Sequence, residues 1–300
     1  MGSEKLRADL LLLVVAAVWG FSLVAQSVGL DYLGPFGFNA GRFLLGALCL
    51  LPLLLVFHRP SSVRWPAMIK GSLIAGAILF AGASLQQVGL QYTTAGNAGF
   101  ITSMYIVLVP VFGLFLAHRT GLNTWLGAAL ALVGLYLLSV SESFSVNPGD
   151  LFVLLGAGFW AGHVLVIAKL SRELDNLLLS FTQFLFCGLL CVPIALIWEG
   201  DRFLLENALA AWQPLMFAGV LTVGIGHTLQ VIGQKAAPAS HAAIIMSTEA
   251  VFAALGGWLW LEEHLNTREF IGCMLMLAGV LLSQLPLKLG QRKSAMAAAE

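Results

Sequence analysis

Apolar residues along this chain come in long unbroken runs. Leu10-Leu11-Leu12-Leu13-Val14-Val15-Ala16-Ala17 has no period of two, so it does not read as a lipid-facing strand of a β-barrel. A helix needs roughly 20 mostly apolar residues to cross a hydrocarbon core of about 30 Å. Cutting the chain at charged, Pro and Gly clusters yields ten such segments, at 9–28, 36–57, 68–90, 97–117, 123–140, 151–170, 178–198, 212–233, 241–261 and 267–286. The expected fold is an all-α integral membrane protein of ten transmembrane helices. Lys5 and Arg7 ahead of Leu10–Val18 resemble the start of a signal peptide, but Trp19-Gly20-Phe21 offers no small-x-small cleavage site, so this run reads as the first span.

The chain also repeats itself. Trp19 and Pro52 find Trp160 and Pro193 at a shift of 141; Gly89, Ala95, Ala98 and Ser103 find Gly233, Ala239, Ala242 and Ser247 at 144; Gly127 and Gly134 find Gly272 and Gly279 at 145. Two five-span units result, 1–145 and 146–300, and because five is odd the second must be inverted relative to the first. Lysine and arginine set the orientation, since cytoplasmic loops retain positive charge. With the N-terminus inside, Lys5, Arg7, Arg59, Arg64, Lys70, Arg119, Lys169, Arg172, Lys235, Lys288, Arg292 and Lys293 are cytoplasmic, while Arg202 and Arg268 are outside and Arg42 lies within helix 2. Both termini are expected in the cytoplasm. An inverted pair of halves can close in nearly the same way on either face, which is the mechanical basis of alternating access around a midplane site.

Composition agrees: 59% of residues are hydrophobic and 10% charged, far from the quarter or so charged in soluble domains, and mean hydropathy is +0.91. Fifteen basic and fifteen acidic residues balance, with no basic tract, which disfavours nucleic acid as a partner. Cys49, Cys187, Cys191 and Cys273 all fall in apolar runs, as small buried hydrophobes without a disulfide framework, and no metal or cofactor is expected. Gly158-Phe159-Trp160-Ala161-Gly162 reads as a small-residue face for close helix approach, and Pro52, Pro110 and Pro193 as bends or hinges.

Polar groups at membrane depth are costly and so mark candidate sites. Arg42 suits a substrate carboxylate or phosphate, or a structural partner; Glu249 suits a proton or an amine, or an ion pair with Arg42, from which its estimated depth differs by roughly 10 Å at 1.5 Å per residue. His163 and His227 near midplane are candidate proton carriers, with hydrogen bonding between helices as the plainer role. The repeat pairs Asn39 with Ser180, Arg42 with Gln183, Asn97 with His241 and Ser103 with Ser247, a pattern that would line the two sides of a cavity unequally. Trp19 and Trp160 at the centres of their helices, with Phe100, Tyr105 and Phe252, would grip an apolar part of a solute, or pack the core.

Several separated motifs then agree: Ala17-Val18-Trp19-Gly20-Phe21-Ser22, Asn39-Ala40-Gly41-Arg42-Phe43, Gly89-Leu90-Gln91-Tyr92-Thr93-Thr94-Ala95-Gly96-Asn97-Ala98-Gly99-Phe100, Pro238-Ala239-Ser240-His241-Ala242-Ala243 and Ser247-Thr248-Glu249-Ala250-Val251-Phe252. Along nearly its whole length the chain resembles the EamA-type branch of the drug/metabolite transporter superfamily. The resemblance implies a bacterial inner-membrane permease with duplicated five-helix halves, often an exporter of amino acids or other metabolites. Asn97 and His118-Arg119 depart from the basic and acidic residues many relatives carry there, whereas Glu262-Glu263 matches the family's acidic position. The expectation is a secondary transporter of a small metabolite in the lipid bilayer, with protons as candidate coupling ion. A carrier of amphipathic cations is the alternative, ahead of a passive channel or a membrane enzyme, for which no HExxH, GxSxG or two-carboxylate motif is present.

Overall fold

The structure is a computed structural model that describes residues 2–57, 64–117, 120–140, 147–260 and 266–285. Arg59, His118-Arg119, Glu262-Glu263, Lys288, Arg292 and Lys293, invoked above, lie outside the described residues. Among the described residues every regular element is a helix. Eight helical segments are long and apolar enough to cross a membrane: Glu4–Gly29, Pro35–Val56, Trp65–Leu90, Ala95–Phe115, Leu122–Ser139, Pro148–Glu173, Asn176–Trp198 and Trp212–Gln234. A shorter apolar helix, Ala239–Leu255, follows, and the helix Thr267–Gln284 closes the described chain. Each falls within a few residues of a segment expected from hydropathy.

Local sequence explains where several helices begin. Asp175 Oδ1 accepts from Leu178 N at 2.8 Å to start α9 (Asn176–Trp198), and Thr94 Oγ1 accepts from Asn97 N to start α5 (Ala95–Thr102). Capping boxes, Asn147 with Asp150 and Asn266 with Glu269, open α8 (Pro148–Glu173) and α15 (Thr267–Gln284). Both α3 (Pro35–Phe57) and α9 run through their prolines, Pro52 and Pro193, and α6 (Tyr105–Phe115) runs through Pro110.

The helical path breaks elsewhere. The first segment is α1 (Gly2–Gly20) and α2 (Ser22–Gly29), parted at Phe21. At Ser103-Met104, between α5 and α6, and at Ser247-Thr248, between α13 (Ala239–Met246) and α14 (Glu249–Trp260), the backbone tightens into i to i−3 hydrogen bonds, such as Ile106 N to Ser103 O at 3.0 Å and Ala250 N to Ser247 O at 3.3 Å. Between α11 (Trp212–Met216) and α12 (Thr228–Gln234) lies a π-helical stretch, Phe217–His227. Long π-helical stretches are rare and concentrate at functional sites.

The outside of the molecule is apolar: Phe115, Leu55 and Ile197 are 85%, 79% and 76% exposed. Its interior holds Asn39, Arg42, His163 and Gln183, all buried, the reverse of a soluble protein's polarity and the arrangement a lipid solvent requires. The main apolar cluster joins Leu12, Phe43, Leu79, Val109, Phe184 and Ile245 from six segments, with Cys187 packed among them as a hydrophobe.

Glycine sets the closest helix contacts. In α7 (Leu122–Ser139) a Cβ on Gly127 would stand 2.6 Å from Gly279 O of α15, and one on Gly134 2.5 Å from Gly272 O; Cβ atoms on Gly272 and Gly279 would each meet the same partner's carbonyl at 2.6 Å. Between α4 (Trp65–Leu90) and α8 the close pair is Gly89 with Gly149. The expected small-residue face does not serve this purpose, because a Cβ on Gly158 would meet nothing within 4 Å and one on Gly162 only Ile78 Cγ2 at 3.8 Å.

Candidate functional site

The helix irregularities surround an internal cavity of about 50 Å³, room for one or two waters. Trp19, Ser22, Leu23 and Gln26 line it from the interrupted first segment at i, i+3, i+4 and i+7, a single helical face. Thr222 and His227 come from the π-helical stretch and Gln230 from the turn after it. Thr102, Tyr105 and Glu249 come from the tightened turns, while Arg42, Gln86, Trp160 and Val164 enter from straight helices. Irregular backbone is therefore concentrated where the cavity is, as expected when backbone at membrane depth faces a cavity rather than lipid.

Glu249 and Arg42 face the same space, but among the described residues they form no ion pair. Glu249 Oε1 accepts from Ser103 Oγ at 3.2 Å and from Tyr105 Oη at 3.4 Å. Arg42 Nε donates to Asn39 Oδ1 at 2.8 Å, its guanidinium lies 4.9 Å from the Phe43 ring centroid, and Asn39 Nδ2 is anchored on Ala83 O at 3.2 Å. Arg42 is 3% exposed. Its Nη2 finds no hydrogen-bond partner among the described residues, nor do Trp160 Nε1, Gln26 Oε1 and Thr222 Oγ1. Arg42 Nη2 and Trp160 Nε1 can donate and Gln26 Oε1 and Thr222 Oγ1 can accept, so residues that line this cavity keep hydrogen-bonding capacity for a ligand or for water.

An aromatic stack forms one wall. The His227 ring stacks on Trp160 with centroids 5.7 Å apart and 9° between planes, and meets Trp19 at 4.7 Å. Trp19 Nε1 donates to Thr222 O at 3.4 Å, a carbonyl of the π-helical stretch. His163 does not line the cavity: it is fully buried behind Trp160, and its Nε2 pairs with Gln183 Oε1 at 2.9 Å.

Of the twelve candidate residues, Trp19, Arg42, Tyr105, Trp160, His227 and Glu249 thus line the cavity. Asn39 and Ser103 lie behind it, bonded to Arg42 and Glu249, and His163 and Gln183 bond each other. Ser247 is spent on its own helix, with Oγ donating to Ile244 O at 2.8 Å. Asn97 is not brought to the site, since it stands in the first turn of α5, where its amide caps onto Thr94. The proposed unequal lining by repeat-related pairs fails for the same reasons: only Arg42 of those eight residues reaches the cavity. Phe100 packs in apolar clusters, and neither it nor Phe252 is a lining residue.

Ser22, Gln26, Gln86, Thr102, Thr222 and Gln230 escaped sequence reasoning. The shift of 144 that relates Ser103 to Ser247 also relates Gln86 to Gln230, and it relates Tyr105 to Glu249, which touch. Applying the repeat to every glutamine would have found that pair.

At one end of the molecule a vestibule of about 1710 Å³ opens, lined by Lys5, Arg7, Lys169, Arg172 and Lys235 together with Glu4 and Glu173. His241 also lines it, its Nε2 3.1 Å from Asp9 Oδ1 and its Nδ1 3.1 Å from Ser283 Oγ.

Apolar helices interrupted around a polar internal cavity, with a charged vestibule at one end, define a multi-pass membrane protein. The signature of the EamA-like transporter family matches residues 6–140 and again 147–285, and the chain belongs to that family. An uncharacterized transporter of Archaeoglobus fulgidus is 33% identical over 286 residues, spanning 95% of this chain and 88% of its own. The uncharacterized transporter YoaV of Bacillus subtilis is 23% identical over 280 residues, 90% of this chain and 94% of its own. A protein of known crystal structure, 18% identical, superposes with a TM-score of 0.77 over 92% of this chain and 96% of its own, a likeness of fold alone. The protein is a membrane transporter, and its partners are a small-molecule solute and lipid.

Proposed function

We propose that this transporter is a secondary carrier of an amino acid or related small metabolite, working as an exporter or exchanger by alternating access in a bacterial inner membrane. The observation that carries the reading is the placing of Arg42 and Glu249 on one cavity without pairing to each other. In a conformation that widens this cavity beyond its present size, Arg42 Nη2 suits a carboxylate, Glu249 suits an amine, and the stack of Trp19, Trp160 and His227 suits the apolar remainder. Protons are the candidate coupling ion, with Glu249 and His227 as titratable groups on the cavity able to carry one.

In this reading the chain has ten spans, in units 1–145 and 146–300 of opposite orientation, with both termini and the vestibule on the cytoplasmic side. Reciprocal contacts support it. Gly127 meets Gly279 and Gly134 meets Gly272, the cross-pairing a pseudo-twofold axis produces when 127 corresponds to 272 and 134 to 279.

Counterflow of labelled amino acids, nucleosides and amines in proteoliposomes, repeated with an imposed pH gradient, tests the proposal. Saturable, competed uptake of amino acids is expected, and folded protein without counterflow of any panel member would overturn a carrier role. The aromatic rings of Trp19, Tyr105 and Trp160, which line the same cavity as Glu249, favour amphipathic cations as the second reading, and uptake confined to amines would select it.

A further inference from the structure

The N-terminus of α3 has no cap of its own. Gly34 stands there, at the place Asp175 occupies 141 residues further on at the start of α9, where Asp175 caps its own helix. At α3 the free amides of Phe36 and Gly37 instead donate to the two oxygens of Glu199, at 2.6 and 2.8 Å. Glu199 follows α9 at its far end, more than 160 residues away in sequence. Three residues on, Arg202 Nη2 donates to Leu30 O at 2.6 Å and Leu33 O at 3.3 Å, just beyond the end of α2. One short segment thus brings an anion to the positive end of one helix and a cation to the carbonyls that follow another.

Space for this contact is built from glycine. A Cβ on Gly34 would overlap the Glu199 carboxylate, and one on Gly37 would stand 2.9 Å from Glu199 Oε2. The contact lies at the end of the molecule opposite the vestibule. At the vestibule end, α9 begins on its own Asp175, and among the described residues no side chain of the other half caps it. Beyond the Glu199 contact α3 carries Arg42, two turns in, onto the cavity, with Asn39 one turn in bonded behind it.

We propose that residues 199–202 strap the gate opposite the vestibule, with Glu199 as a positioning residue that holds this face closed and seats the Arg42 helix, and whose release is a step of transport. The strap rests on the alternating-access reading. Opening this face separates the loop after α9 from the segment between α2 and α3, so Glu199 must leave the α3 amides and Arg202 the Leu30 and Leu33 carbonyls.

The test uses a reporter thiol, Ser22→Cys on the cavity wall, in full-length protein with its four native cysteines replaced by alanine. Labelling by a membrane-impermeant maleimide is followed in right-side-out and inside-out vesicles. Glu199→Gln removes the charge, and Gly34→Ala keeps it but displaces the carboxylate, which is the flexible end of its side chain. Each is expected to raise labelling from the strap face about tenfold and to lower it from the vestibule face, the scale set by two charge-assisted hydrogen bonds. Asp201→Asn, whose side chain is outside these contacts, should change neither rate. Unchanged rates in both variants, or an equal rise from both faces, would overturn the strap. Counterflow by the protein without the strap substitutions separates the two ideas: counterflow there with unchanged labelling in the variants keeps the carrier and removes the strap, whereas reciprocal labelling with no counterflow of any panel member keeps the strap as the closure of this face and removes the amino-acid reading.

Discussion

Arg42 carries two obligations, to Asn39 through Nε and to the cavity through Nη2. Arg42→Ala should abolish solute counterflow while the protein still inserts, at a stability cost of about 1–3 kcal/mol for leaving Asn39 Oδ1 buried without its donor. Glu249→Gln keeps the shape and most hydrogen bonding but not the charge, so counterflow should fall at least about tenfold, as expected for the loss of a charged contact, with thermal stability little changed. Normal flux in both variants would remove these residues from the site. Trp160 separates stacking from hydrogen bonding. Trp160→Phe retains a six-membered ring against His227 but loses Nε1 and part of the indole, so solute affinity should drop several-fold, measured by isothermal titration, with a modest fall in melting temperature from the void left in the core. Arg42 and Glu249 were legible in the sequence because an ionisable group in an apolar run has few innocent explanations. Gln26, Thr222 and Gln86 were not, since an uncharged polar side chain inside a span is equally at home bonded to a neighbouring helix, as Gln87 is to Gln26 O.

Helices were legible from the apolar runs, but their interruptions were not. Pro110 advertises a break that α6 does not make, whereas Ser103-Met104 and Ser247-Thr248 carry no breaker residue. The π-helical stretch carries Gly219, Gly224 and Gly226, but glycine is so frequent in these spans that it singles out no one of them. Close packing obeys the same logic, because a glycine in a span can serve a neighbour's backbone or nothing at all. Gly134→Ala forces a methyl to within 2.5 Å of a backbone carbonyl, and α7 and α15 must move apart. A loss of roughly 1–3 kcal/mol is expected in denaturant unfolding. Gly158→Ala, with open space around it, should be neutral or stabilising by up to about 1 kcal/mol. Equal effects in the two variants would refute this account of how the helices are spaced.

For the whole molecule, the distribution of Lys and Arg predicts the orientation, and the vestibule gathers five of those residues at one end. Cysteines substituted for Lys169 and Lys235 should react with impermeant reagent only from the cytoplasmic side; labelling from outside would invert the topology. Matched residues at shifts of 141 to 145 carry the proposed division into two halves, but the residues that meet between those halves required three dimensions. Tyr105 and Glu249 are the sharpest case, one position of the repeat seen twice and in contact at 3.4 Å. In a chain with identical halves, whatever residue occupied that position would face its own copy. Two carboxylates there would repel or be forced to share a proton, and two phenols would leave the cavity without an anion. A duplicated chain free to differ with itself can place a phenol against a carboxylate at that position, so in the two-half reading the carboxylate on this transporter's cavity is a product of broken likeness between the halves.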